Sequence, residues 1–254
     1  MRINLNADLG EGYGPWTMGD DAAMLDIVAS ANIACGGHAG DPDVMRRTLR
    51  LARERGVSIG AHPGYPDLQG FGRRAMVLSA AELENQVAAQ VGALSAIAAL
   101  EAARVTHVKP HGALNNLACV DRKVADTICG AVRAVDPGLI LLAPAASQLV
   151  AAGRAAGLAV VEEIFADRAY LPDGQLVPRS RPDAMIHGAA ACLAHVLAML
   201  EAGALIAADG TRIATPIGSI CVHGDSPGAV AVARHLREQL AARGHQVLPL
   251  PEIA

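Results

Sequence analysis

Residues 105–116, VTHVKPHGALNN, decide the fold. They begin as a β-branched run, Val105, Thr106, His107 and Val108, and then become Lys109, Pro110, His111 and Gly112, through which no buried strand continues. The break reads as a strand end, and a lysine and a histidine there suit a polar site at the mouth of a buried sheet. The same grammar recurs along the chain. Residues 3–8 end in Asp8 and Glu11, 30–35 in His38 and Asp41, 57–61 in His62, 159–165 in Asp167 and Arg168, and 217–222 in His223 and Asp225.

Helical patterns separate these strands. They cover 22–28, 43–55 with Val44, Leu49 and Ala52 facing a core, 79–100 opened by a Ser79/Glu82 capping box, 121–135, 145–156 and 183–202. A last helix, capped by Ser226 with Pro227 in its first turn, runs to Ala242, and 246–250 adds a final strand. Asp209-Gly210 between two short apolar runs is a type I′ hairpin signal. About eight alternations with no low-complexity linker predict an α/β protein: one (β/α)-barrel domain of seven or eight strands over residues 1–254. In such a fold the polar groups after each strand converge on one face.

Composition narrows the function. A formal charge of −4, a pI near 6.1 and the lack of a basic run give no reason to expect nucleic acid. The chain opens on MRINLNADLGEG with no apolar h-region, and no segment reaches ~18 apolar residues, so a cytoplasmic protein with no membrane span is expected. Cys35, Cys119, Cys129, Cys192 and Cys221 are odd in number and lack CxxC spacing, which predicts reduced thiols. GEGYG is not GxGxxG, and neither GxxxxGK[ST] nor GxSxG occurs. Positive charge is carried almost wholly by arginine; the lysines are Lys109 and Lys123, so Lys109 at a strand end hints at a particular chemical task.

The convergent strand ends gather Asp8, Glu11, His38, Asp41, His62, Lys109, His111, Asp167, Arg168, His223 and Asp225 as candidates for catalysis or binding. Asp41 also has a structural reading, as an N-cap followed by Pro42. Asn6 lies with Asn4 on one face of the first strand, and Arg73 and Arg74 in the rigid loop HPGYPDLQGFGRR are placed to meet an anion. Asp8 with two of His38, His62 and His111 would supply the carboxylate and imidazoles that hold a divalent metal. His187, His195, His235 and His245 read as solvated or structural, and His107 is open between core and site. The polar loop ADRAYLPDGQLVPRSRPDA, residues 166–184, is positioned to lid the site.

Six motifs, NADLGEGYG, SANIACGGHAGDP, AHPGYPDLQGFGRR, HVKPHGALNN, FADRAYLPDGQLVPR and ICVHGDSPGAV, resemble in order and spacing the LamB/YcsF family of 5-oxoprolinase A subunits. The resemblance implies a barrel related to polysaccharide deacetylase-type folds and an ATP-dependent opening of 5-oxoproline to glutamate, with ATP and Mg2+, in concert with partner B and C subunits. One position departs from it: Asn115 stands where the family pattern HGALYN carries tyrosine. Phosphorylation of the lactam oxygen would call for Lys109 and Arg73 at phosphate or oxyanion, and for His62, His111 or Asp8 to activate water. Metal-dependent hydrolysis of an N-acyl or related amide without ATP, and a non-catalytic substrate-binding component, are the alternatives.

Overall fold

The computed structural model describes residues 1–224 and 228–254, so the expected site residue Asp225, the Ser226 cap and Pro227 lie outside the described residues. Seven parallel strands close into a ring: β1 (Arg2–Leu9), β2 (Ser30–Ala34), β3 (Ser58–His62), β4 (Val105–Val108), β5 (Ile140–Pro144), β6 (Val160–Phe165) and, after a hairpin, β9 (Ser219–Cys221). Closure is between β1 and β9, with Asn4 opposite Ser219, Leu5 opposite Ile220 and Asn6 opposite Cys221. The helices α1 (Asp21–Leu25), α2 (Pro42–Glu54), α3 (Ala80–Leu100), α4 (Gly112–Val120), α5 (Arg122–Val135), α6 (Gln148–Ala155), α7 (Ala189–Ala202) and α8 (Ala229–Ala242) cover the outside. Period-2 alternation sorts the strand residues. On β1, Ile3, Leu5, Ala7 and Leu9 join the apolar core, while Asn4, Asn6 and Asp8 enter a hydrogen-bonded interior.

The stretch that decides the fold behaves as its composition requires. β4 stops at Val108, Pro110 blocks its continuation, and α4 starts at Gly112, whose φ of 54° needs a glycine. Ser79 and Glu82 form the expected capping box of α3. Three expectations are corrected. The helix predicted over 183–202 begins at Ala189, because Ala184 O and Ile186 N–H are taken by Ala169 and Asp167 across a short ribbon. The hairpin of β7 (Ala204–Ile206) and β8 (Arg212–Ala214) turns by a Gly210 N–H to Ala207 O bond and a left-handed Gly210 (φ 88°), a type I turn with a glycine bulge in place of type I′. The final strand shrinks to β10 (Gln246–Val247), paired to β1 outside the ring, because Pro249 and Pro251 cannot donate to a ladder.

That tail instead forms a 3-10 turn, Leu250–Glu252, which plugs the N-terminal mouth. Leu250 packs on Ile140, Leu142 and Val161, and its N–H donates to Ser30 Oγ (3.1 Å) and Ser58 Oγ (3.3 Å). All five cysteines are buried and free. No described helix is long and apolar enough to cross a membrane.

Candidate active site

The barrel interior is a ladder of polar side chains. Asn32 Nδ2 donates to Asn6 Oδ1 (2.8 Å) and Asp8 Oδ1 (2.9 Å), and Asn6 Nδ2 donates to Ser219 Oγ (2.8 Å) and Glu163 Oε2 (3.2 Å). His107 Nε2 sits 3.1 Å from Asn32 Oδ1, which settles this histidine as part of the packed interior. Gly60 on β3 makes that possible, since a β-carbon there would overlap the His107 ring.

Above this layer Lys109 is buried, its ammonium 3.0 Å from Asp8 Oδ1, 3.3 Å from Glu163 Oε2 and 3.0 Å from Cys221 Sγ. Burial disfavours the ammonium, but Asp8, Cys221 and Glu163 outweigh it and raise its pKa well above the ordinary lysine value. Burial likewise pushes the Asp8 carboxyl up, yet His62 and Lys109 hold it well below the usual range, so Asp8 is ionised. Glu163 goes the other way: burial raises its pKa, Lys109 offsets only part, and its Oε1 has no hydrogen-bond partner. Lys109 is thus committed to the carboxylates beside it.

Beyond β1, Gly10 in a left-handed conformation (φ 66°) turns the chain so that Glu11 faces the histidines. His62 Nδ1 lies 2.6 Å from Lys109 O, and His111 Nε2 lies 2.9 Å from Phe71 O. A carbonyl only accepts, so both of these nitrogens carry the proton. The other two, His62 Nε2 and His111 Nδ1, approach each other to 3.0 Å. Burial and His62 depress His111 to about 3. Burial, with His111 and His62 nearby, holds His38 well below the ordinary value too; its ring stacks on His111 at 3.6 Å, its Nε2 contacts Glu11 Oε1 at 3.1 Å, and its Nδ1 has no partner.

Ligand atoms of Glu11, His38, His62 and His111 all lie within 4.8 Å of one another. Three imidazoles, those of His62 and His111 each oriented by a carbonyl on the far nitrogen, and one carboxylate form a donor set that fits a divalent metal. The carboxylate of this set is Glu11, where the sequence pointed to Asp8. Asp8 Oδ2 is 3.4 Å from His62 Nε2, while Oδ1 is taken by Lys109 and Asn32.

Across a cavity of about 640 Å³, His223 Nδ1 is 2.8 Å from Asp167 Oδ1 and its ring stacks on Phe165. Asp167 is buried, which pushes its carboxyl up, but His223 reverses this and keeps it ionised. His223 Nε2 meets Arg179 Nη2 at 3.3 Å; a guanidinium only donates, so Nε2 carries the lone pair. Asp8, Glu11, His62, Arg73, Lys109, His111, Arg168 and His223 all line this cavity. The loop expected to act as a lid supplies part of its wall, Leu171 and Val177 included. Asn115 lines it from α4, its Oδ1 buried without a partner.

His38, stacked behind His111, belongs to the metal-binding group. Other candidates are drawn elsewhere. Asn6 supports the site from the layer below. Asp41 caps α2, accepting from Asp43 and Val44 N–H, and also takes Gly14 N–H (2.6 Å). Arg74 is paired with Asp67. Sequence reasoning missed Glu163, Cys221, Asn32 and Arg179. The adjacent pair Glu162-Glu163 inside a strand was a usable signal, because alternation sends one of the two inward.

The LamB/YcsF family profile matches residues 3–254. The A subunit of 5-oxoprolinase from Azoarcus sp. (strain BH72) is 58% identical over 253 residues, 100% of this chain and 99% of that protein. The crystal structure of a lactam utilization protein from Thermus thermophilus superimposes with a TM-score of 0.91 at 45% identity, covering 98% of this chain and 99% of that one. A peptidoglycan N-acetylglucosamine deacetylase shares the fold, with a TM-score of 0.52 at 14% identity over 99% of this chain and 87% of that one. The expected deacetylase-type barrel fold is borne out, and with a match along essentially its whole length the chain belongs to the LamB/YcsF family.

Proposed function

We propose that this chain is the A subunit of an ATP-dependent 5-oxoprolinase, which opens the lactam of 5-oxoproline to L-glutamate together with partner B and C subunits. The observation that carries the reading is one cavity joining an Asp–His pair to an ionised carboxylate and cationic side chains, in a chain 58% identical to a 5-oxoprolinase A subunit. A lactam is a resonance-stabilised amide. Opening it needs a base for water, a proton for the leaving nitrogen and positive charge at the developing oxyanion.

His223, on the cavity wall, takes the acid–base role: Asp167 holds its Nδ1–H, and Nε2, once Arg179 Nη2 yields it, accepts a proton from water and returns it to the ring nitrogen. Arg73, on the cavity wall, is the candidate for charge building on the lactam oxygen or on a phosphate carried by it. Lys109 acts through Asp8, keeping it ionised and fixed beside His62. ATP with Mg2+ would be the phosphoryl donor: with the lactam oxygen phosphorylated and ADP released, water adds to the carbon, the C–N bond breaks as the ring nitrogen takes a proton, and a second water hydrolyses the resulting acyl phosphate to glutamate and phosphate.

The histidine cluster favours a second reading, metal-dependent amide hydrolysis without ATP. Glu11, His38, His62 and His111 would hold the ion, which supplies Lewis-acid polarisation of a carbonyl. One assay separates the readings: 5-oxoproline-dependent release of ADP and glutamate by the full chain, alone and with the B and C subunits, before and after chelation. Release confined to the complete mixture and lost in His223→Gln supports the ATP-coupled lactamase. Amide hydrolysis without ATP that chelation abolishes supports the metal hydrolase. Full activity with His223→Gln in the complete mixture would reduce the chain to a substrate-binding component.

A further inference from the structure

Arg168 is buried, 5% exposed, yet its hydrogen bonds run to neutral carbonyls: Nη2 to Val177 O (2.7 Å) and Nε to Ala184 O (3.4 Å). No described carboxylate lies within 4.0 Å of its guanidinium, in contrast to Arg154, Arg46 and Arg50, each paired with a glutamate. A buried cation whose hydrogen bonds all go to neutral carbonyls is costly unless an anion compensates it, and Asp167 acts on Arg168 only from beyond ion-pair distance. Burial first, with the nearby Arg179 adding to it and Asp167 opposing, depresses Arg168 to about 10. Both arginines line the cavity next to His223.

An anion bound there would be flat and forked to match a guanidinium, as a carboxylate is. On the reading above, the substrate is a small ring with one carboxylate beside the ring nitrogen. Resting on that reading, we infer that Arg168 and Arg179 form the carboxylate subsite, which selects lactams bearing an acid group next to the ring nitrogen over neutral lactams. The contact of Arg179 Nη2 with His223 Nε2 couples selection to chemistry. A carboxylate that draws Arg179 off the imidazole leaves the His223 lone pair facing the ring, whereas a neutral lactam leaves the two in contact.

The test is equilibrium binding of 5-oxoproline, its neutral counterpart 2-pyrrolidinone, glutarate and inorganic phosphate to the full chain. Wild type is expected to bind 5-oxoproline at least about 10-fold more tightly than 2-pyrrolidinone. In Arg179→Gln that preference falls below about 3-fold, and Arg179→Lys retains part of it. Because Arg168 also anchors the loop at Val177, Arg168→Met is read alongside its melting curve. Folded Arg168 and Arg179 variants that keep the wild-type preference overturn the subsite and leave the 5-oxoproline reading standing. Glutarate binding that needs Arg179, without binding of either lactam, supports the carboxylate subsite while the 5-oxoproline reading falls. Phosphate that binds more tightly than every carboxylate with the same arginine dependence overturns the carboxylate assignment.

Discussion

At the N-terminal mouth of the barrel, Ser30 and Ser58 share a 2.6 Å hydrogen bond, both accept the Leu250 N–H, and Asn4 ties Ser30 to Leu248 O. At the C-terminal mouth, His38 Nδ1 and Asn115 Oδ1 are buried without partners, and His62 Nε2 and His111 Nδ1 approach each other to 3.0 Å. Similar strands present polar residues to both ends. The difference lies in what completes them: a tail of the chain itself at one end, and an open cavity at the other. Buried polar groups left unsatisfied cost stability, so His38 Nδ1 and Asn115 Oδ1 at this mouth mark where a ligand or ion finishes the structure.

Four substitutions test how the two mouths differ. Lys109→Met should have the largest effect, since it leaves Asp8 and Glu163 without their shared cation. Turnover should fall at least about 10³-fold and unfolding free energy by about 3–5 kcal/mol, measured by urea denaturation. A variant of wild-type stability would show that the interior ion group is not interlocked.

His223→Gln should lower turnover by about 10²–10⁴-fold with little change in melting temperature, because its ring is at the cavity wall and not in the ladder. A matching loss in Asp167→Asn would assign the pair one role. Leu250→Ala should do the reverse, costing about 2–5 kcal/mol of stability while turnover per folded molecule stays within about 2-fold. Activity lost in step with catalytic-site variants would erase the distinction between the two mouths.

The smallest effect is graded with pH. Burial and Lys109 depress His107 to about 3, against 6.5 in the unfolded chain, so below pH 6.5 the unfolded state takes up a proton that the folded state refuses. Stability should therefore fall as pH drops from 6.5 towards 3, with about 2 kcal/mol from this residue at pH 5. His107→Gln should flatten that part of the slope in denaturation curves collected across the range.

Much of this site is legible in single strands. Pro110 and Gly112 mark the end of β4, and Asp8, His62 and His223 each follow an apolar run, so their arrival at one rim follows from local turn chemistry and the barrel rule. Asp41 and Arg74 carry the same local signature and are diverted, one to cap a helix and one to Asp67, because a nearer partner was available. Arg179 belongs to the loop expected to cover the site, but only the folded ribbon brings it onto His223.

The sequence by itself determined the strands, their ends and the sign of the charge placed there, because alternation and backbone-breaking residues act over a few neighbours. The tertiary structure alone decided that Lys109 of β4 meets Asp8 of β1, Glu163 of β6 and Cys221 of β9, and that Glu11 joins three histidines. Those contacts exist because the ring closes between β1 and β9 in one register, and a shift by one residue would turn each of these side chains to the opposite face.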